Sequence, residues 1–380
     1  YLPWFTVADP HSAQISVRHL LHHTSGLSTA AGWVPLADFD QAPDAAERQM
    51  RALSAETLHS PPGTKFAYSN ANYNLLGLII EAVSGVSYAD YVQTRIFAPL
   101  EMDNSTASLP EAEENGLAVG HRYWFWRPTA VRNPAFPAGS LPSGQLIAGS
   151  EDMAHYIIAL LNNGVYGDQQ ILSAGGVAEM WQGAVEDRTT GTAVGEYGMG
   201  WYVSDLQGHR CVWHQGMVPD YASYMGLLPE QGKGIILLMN VDHFMLNPIL
   251  VELGGGAAAI LAGEQPAPPQ LTFIPWLMRT LLLIPLLQVV GIFLTWRRRR
   301  RWRNDPATRP QNRRLWTRHL LPAALFNLLL TGLLIPLLGP MRGFWRLFAP
   351  DYFWLALGSG GFAGFWTVLR PILLIHAARE

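Results

Sequence analysis

FAYSNANYNLLGLIIEAVSG, residues 66–85, joins a tight turn to a helix. Pro61-Pro62-Gly63 just upstream is a rigid reversal. From Ala71 to Ser84 the apolar side chains recur at helical spacing, and Gly85 supplies a left-handed stop. Tyr68 and Asn70 therefore stand at a helix N-terminus, where unpaired N–H groups and the positive end of the helix dipole face outward. Such a field can lower a phenol pKa from its ordinary value of about 10, as suits a base. Y-x-N alone is a short pattern, and on the motif alone packing is the preferred reading of the tyrosine.

Upstream, ISVRHLLHHTSGL (15–27) predicts a short helix over 15–23 closed by Thr24-Ser25-Gly26. His19, His22 and His23 are three and four apart, a spacing that puts metal ligands on one helix face. No acidic residue accompanies them and no H-E-x-x-H exists, so a packed helix end is the preferred reading; no metal and no cofactor are expected. Downstream, Ser150-Glu151-Asp152 opens a helix with Ser150 as N-cap, running to about residue 162. After Tyr197 come short strands, 197–204, 210–214, 222–228 and 234–240, joined by Gly, Pro and Asp turns. Helices followed by an antiparallel meander predict an α+β fold. His214-Gln215-Gly216 ends the second strand, with 217–219 turning the chain. His214 can hydrogen-bond or assist proton transfer, and Gly216 permits close approach of a substrate backbone. Asp220 and Asp242 read as turn residues.

The 380 residues carry a net charge of −3, and their basic residues are nearly all arginine; Lys65 and Lys233 are the only lysines. No nucleic-acid partner is expected. The single cysteine, Cys211, excludes an intrachain disulfide and a thiolate cluster, and reads as a buried, inert thiol. Residues 254–263 are small and apolar and 265–270 are proline-rich, which predicts a boundary: a domain over 1–263, a linker over 264–273 and a third region over 274–380. There, three apolar stretches at about 274–296, 319–338 and 353–375 are long enough to cross a bilayer as helices. Arg279 and Arg370 lie near span ends, where they can snorkel. Arginines crowd residues 297–318, whereas 339–352 hold only Arg342 and Arg346. The positive-inside rule then predicts a multi-pass cell-membrane protein with residues 1–263 outside the cytoplasm and the C-terminus inside. The lipid bilayer is thus an expected partner. Oligomeric state has no signal in the sequence.

Four stretches, ISVRHLLHHTSGL (15–27), FAYSNANYNLLGLIIEAVSG (66–85), YGMGW (197–201) and WHQGMVPDYASYMGLLPE (213–230), occur in the order and character of the β-lactamase-like serine hydrolases. Together they resemble the branch holding class C β-lactamases, D-Ala-D-Ala carboxypeptidases and related esterases. The resemblance covers nearly all of 1–255 and none of the membrane region. It implies a β-lactamase/transpeptidase-like domain and three elements: S-x-x-K with the nucleophile and a lysine, Y-x-N with the proposed base, and K-T-G or H-x-G on a strand lining the site. Tyr68 would then act as base together with the lysine, Asn70 would bind a substrate amide, and His214 would stand in for the strand lysine. Gly216 would line the cleft and the Met217 N–H would form half of the oxyanion hole.

The first element is missing from these residues: Pro62 stands three before Lys65 and Glu230 three before Lys233. Because the chain opens without Met in Tyr1-Leu2-Pro3, it reads as truncated upstream, and the polypeptide as written is expected to be inactive. The function implied is a membrane-anchored serine hydrolase acting on amide, ester or β-lactam carbonyls of a small-molecule or peptide substrate through an acyl-enzyme. The H-x-G variant leans away from β-lactams. The alternative is a non-catalytic membrane sensor that binds cell-wall peptides or β-lactams in the same cleft.

Overall fold

Ser16 starts the first helix, α1 (Val17–Leu21), by a reciprocal cap: its hydroxyl accepts the His19 N–H while His19 Nδ1 accepts the Ser16 N–H, both at 3.3 Å. The helix is shorter than predicted because His23 adopts a positive φ of 54° and turns the chain. These details come from a computed structural model that describes residues 1–33, 35–125, 127–188, 194–270, 273–335, 339 and 342–379. Contacts divide the chain into two units: Tyr1–Tyr123 with Arg127–Leu271, and Trp124–Trp126 with Thr272–Glu380.

In the first unit, α2 (Thr29–Trp33) lies across the start of α3 (Asn70–Ser84), the helix legible from residues 66–85. Gly85 ends α3 at a φ of 75°, as its sequence position requires. Leu75 and Leu78 of α3 pack with Leu20, Leu27 and Met50 in one core cluster. A residue other than Gly at 32 would push its Cβ into the Asn70 backbone nitrogen and to 2.9 Å from Ser69 Oγ. Gly32→Ala is therefore expected to cost about 1–3 kcal/mol by overpacking. A thermal melt reads this, and an unchanged Tm would show that the contact yields freely.

The sheet is a six-stranded antiparallel meander of β1 (Val185–Glu186), β2 (Glu196–Tyr197), β3 (Tyr202–Leu206), β4 (His209–Val218), β5 (Tyr221–Leu228) and β6 (Lys233–Met239), with neighbours in sequence order. Side chains alternate between two buried faces. Val212 and Leu227 pack with Ile157 and Leu160 of α4 (Ser150–Leu161), while Cys211, Trp213, Tyr224 and Leu228 pack on the other side with Val251 and Leu261 of α5 (Asn247–Ala262). Burial pushes the Cys211 thiol up to about 11.

Several sequence expectations shift. The predicted strand 197–204 breaks in two at Gly198-Met199-Gly200, where Gly200 has a φ of 80° and a Cβ would come 3.2 Å from the Tyr73 hydroxyl. Ser150 is the first residue of α4, with Gly149 in the cap position. Residues 254–262, read as part of a boundary, belong to α5, because Gly254, Ala258 and Ala259 give it a flat face and Gly254 seats the Tyr224 ring. The helix ends at Gly263, at a φ of 93°.

Asp220 and Asp242 are more than turn residues. Asp220 sits in the β4–β5 turn at a φ of 74° and receives both arms of Arg122, Nε at 2.6 Å and Nη2 at 2.7 Å. The strand carrying Arg122 runs parallel to Val241–Asp242, which sets Arg122 opposite Asp242. Neither Asp242 carboxyl oxygen has a well-formed hydrogen bond, and burial, reinforced by the Asp220 charge, pushes its pKa well above the usual range. Below about pH 4 both states hold this proton; as pH rises the unfolded chain releases it first, so the folded state loses stability. Asp242→Asn is expected to raise Tm at pH 8 and leave it nearly unchanged below pH 4. A pH-independent shift in Tm would contradict this.

Among the described residues, four helices are long and apolar enough to cross a membrane: Phe244–Ala262, Met278–Asn304, Asn312–Leu334 and Pro350–Arg379. The first contains α5, which covers the sheet. The other three fall in the second unit, where α8 (Pro350–Arg379) packs against both α6 (Leu283–Asn304) and α7 (Leu321–Leu334). Of the arginine-rich stretch 297–318, Arg297 to Arg301 and Arg303 form the last turns of α6. Side chains of Gln288 and Thr331 donate to the carbonyls of Ser359 (2.7 Å) and Gly360 (3.1 Å), linking the helices through backbone groups.

Candidate active site

The turn into α3 is held from beneath by His23, which is buried. Its Nδ1 accepts the Ser69 N–H at 3.2 Å and faces Asn72 Nδ2 at 2.9 Å. Two donors on Nδ1 put the ring proton on Nε2, which is buried and has no partner. Burial, with His214 adding to it, holds the His23 pKa well below 6.5, so this imidazole is neutral. Asn72 in turn accepts the Ser25 hydroxyl at 2.6 Å, and Ser25 Oγ accepts the Leu27 N–H. Ser25 is thus fully engaged in a turn. His19 faces its own cap, and among the described residues no three metal-ligating side chains converge.

Tyr68 lies on this platform, its ring centroid 4.2 Å from that of His23. Its hydroxyl bonds to no described residue. Burial raises its pKa to about 12, opposite in sign to the helix-dipole expectation. A dipole worth a fraction of a charge, felt two residues before the first helical residue, does not offset desolvation by Tyr197, His23 and His214. The Asn70 amide, at the first position of α3, also has no hydrogen bond among the described residues. Ser69 Oγ turns away to the Ser28 carbonyl at 2.8 Å and leaves the helix start without a side-chain cap.

His214 enters from the sheet, with ring centroid 6.1 Å from that of Tyr68. Its Nδ1–H donates to the Gln215 carbonyl at 2.6 Å, which leaves Nε2 to accept the Tyr197 hydroxyl at 3.3 Å. Burial lowers its pKa, opposed in part by the Gln215 carbonyl, so it carries no charge at pH 7. The motif does not end a strand, as the sequence suggested, but lies inside β4. The reason is register: β3 stops at Tyr202 opposite Trp213, while β5 pairs on through Val218 opposite Tyr221. Residues 214–218, with Gly216 and Met217 among them, therefore have a neighbouring strand on one side only among the described residues. A Cβ at Gly216 would meet the Oγ of Ser223, the residue opposite it on β5.

The structure thus brings the rings of Tyr68 and His214 together, with Asn70 two residues beyond Tyr68 and the open edge 214–218 starting at His214. Sequence reading missed His23 and Tyr197, the two residues that hold the Tyr68 and His214 rings. The signal His23 carried in the sequence was its place directly before the Thr24-Ser25-Gly26 turn. A hollow of about 490 Å³ beside Phe5, Ile15, Leu20, Leu75 and Ile79 contains none of these site residues.

Residues 1–250 match the family described as Beta-lactamase. The chain belongs to the beta-lactamase family. Penicillin-binding protein 4 of Amycolatopsis lactamdurans is 30% identical over 277 residues, covering 70% of this chain and 71% of that protein. Protein flp of Staphylococcus aureus (strain MW2) is 28% identical over 248 residues, or 63% of this chain and 45% of flp. The chain therefore spans less than half the length of the flp relatives it matches. An octameric penicillin-binding protein homologue from Pyrococcus abyssi superposes with a TM-score of 0.55 at 27% identity, over 70% of this chain and 62% of that one. A D-amino acid amidase from Ochrobactrum anthropi SV3 shares the beta-lactamase fold with a TM-score of 0.53 at 24% identity, over 67% and 74%.

Proposed function

We propose that the first unit is the larger part of a serine hydrolase cleft that acts through an acyl-enzyme, completed by an S-x-x-K segment that these 380 residues do not contain. The observation that carries this reading is the Tyr68 ring, its hydroxyl unengaged among the described residues, lying 6.1 Å from that of His214, where a strand edge open through Val218 begins. The serine oxygen would attack the substrate carbonyl while its proton passes to Tyr68; the tyrosine would then give a proton to the leaving group, and water would reverse the sequence to release the acid. At a pKa of about 12, fewer than about one phenol in 10⁴ is ionised at pH 7.5, so Tyr68 needs a nearby cation. The lysine of S-x-x-K supplies that charge as well as placing the serine.

His214 is neutral, so the strand position that holds a lysine in K-T-G supplies no fixed charge to attract a substrate carboxylate. Esters and amides are accordingly favoured over β-lactams. With three apolar helices following, and with the arginine bias described above, we place the hydrolase unit outside the cytoplasm and tethered to the membrane. The test is turnover of matched ester, D-amino-acid amide and β-lactam substrates by protein carrying the S-x-x-K segment. Ester and amide hydrolysis ahead of β-lactam hydrolysis is expected, and β-lactam preference would overturn the assignment. The missing S-x-x-K also favours a second reading, a non-catalytic binder; reversible ligand binding with no covalent adduct on the complete protein would select it.

A further inference from the structure

In the second unit, α6 and α8 run parallel: Gln288 pairs with Ser359, and seven residues on Thr295 pairs with Arg370. Between them and α7 lies a cavity of about 110 Å³. From Gln288 to Arg298 its α6 wall runs ten residues, about 15 Å. Its walls are graded. Leu287, Leu294 and Phe326, 56%, 38% and 49% exposed, open it sideways along the apolar helix surfaces. Its far end is lined by Arg298 and Arg370, with Asn327 of α7 nearby.

None of these polar groups is neutralised by a described residue of the chain. From residue 272 onward the only acidic residues are Asp305, Asp351 and Glu380. Among the described residues no carboxylate lies within ion-pair distance of Arg298 or Arg370. Arg370 Nε donates to Thr295 Oγ1 at 3.1 Å, which fixes the guanidinium and leaves its terminal nitrogens without partners among the described residues. Asn327 is 6% exposed and makes no side-chain hydrogen bond among the described residues. Two unpaired guanidinium groups facing a cleft among apolar helices are costly unless an anion joins them.

We propose that this cavity binds the phosphate of an anionic phospholipid, with Arg298 and Arg370 on the phosphate oxygens, Asn327 on an oxygen of the head group, and an acyl chain along Leu287, Leu294 and Phe326. Guanidinium forks match phosphate oxygens, and the sideways opening is where a chain attached to that phosphate leaves. The inference rests on the membrane reading, which fails separately if the chain stays in the aqueous phase without detergent.

The experiment is native mass spectrometry of the full chain released from nanodiscs of dioleoylphosphatidylglycerol or dioleoylphosphatidylcholine, with inorganic phosphate as competitor. One phosphatidylglycerol should be retained about tenfold better than phosphatidylcholine, the scale of one added charge-assisted contact. Millimolar inorganic phosphate should not displace it. Arg298→Gln/Arg370→Gln should abolish retention, as should Ala323→Phe, which fills the cavity and keeps both arginines. Arg297→Gln/Arg301→Gln, outside the cavity, should retain lipid normally. Equal retention of the two lipids, retention by both cavity variants, loss in the outer pair, or displacement by phosphate would each overturn the proposal.

Discussion

Tyr68→Phe, made in protein that carries the S-x-x-K segment, is expected to lower kcat for ester hydrolysis about 10²- to 10⁴-fold, the range for losing a general base, with KM changed much less. The fold should tolerate the change. The hydroxyl has no hydrogen bond among the described residues, so its removal costs about 1 kcal/mol or less. The ring that packs on His23 at 4.2 Å is retained. Steady-state kinetics and a thermal melt on the same preparation separate the two effects. Wild-type kcat in the variant would remove Tyr68 from the chemistry, and a collapsed Tm would make it a structural residue.

The largest stability effect is expected at Arg122. Asp220 is fully buried at its side chain and is held by both arms of Arg122, which is itself 20% exposed. Arg122→Ala leaves that carboxylate buried and unpaired, a loss of about 3–5 kcal/mol. Because Asp220 sits in the β4–β5 turn, the damage falls on the hairpin that carries His214, and activity should fall with stability. Chemical denaturation measures the loss. A further change, Asp220→Asn on the Arg122→Ala background, should recover part of it by removing the stranded charge, and no recovery would mean that the pair acts only through packing.

Sequence periodicity made α3 legible to within a residue, since apolar spacing and Gly85 agree on one helix. It made the meander legible as well, because each hairpin has its own turn residues. The strand carrying His214 was less so: Met217-Val218-Pro219 reads locally as a turn, and only pairing with β5 reveals that β4 continues through Val218. Tyr68 shows a competition that no local pattern contains, the helix field against burial by residues distant in sequence. The pairing of Arg122 with Asp220, 98 positions apart, has no sequence signature. Residues 254–262 looked like a boundary because small residues mark both linkers and flat helix faces, and the Tyr224 ring decides between them.

The central claim is that the cleft is built around Tyr68 and His214 but takes its nucleophile from an S-x-x-K serine, not from any serine in these 380 residues. Fluorophosphonate labelling followed by peptide mapping tests it most directly. The chain as given should take no label, with Ser25 locked to Asn72 and Ser69 to the Ser28 carbonyl. Protein carrying the added segment should be labelled once, on the serine of S-x-x-K. Stoichiometric labelling of Ser25, Ser69 or Ser223 in the 380-residue chain would contradict the account.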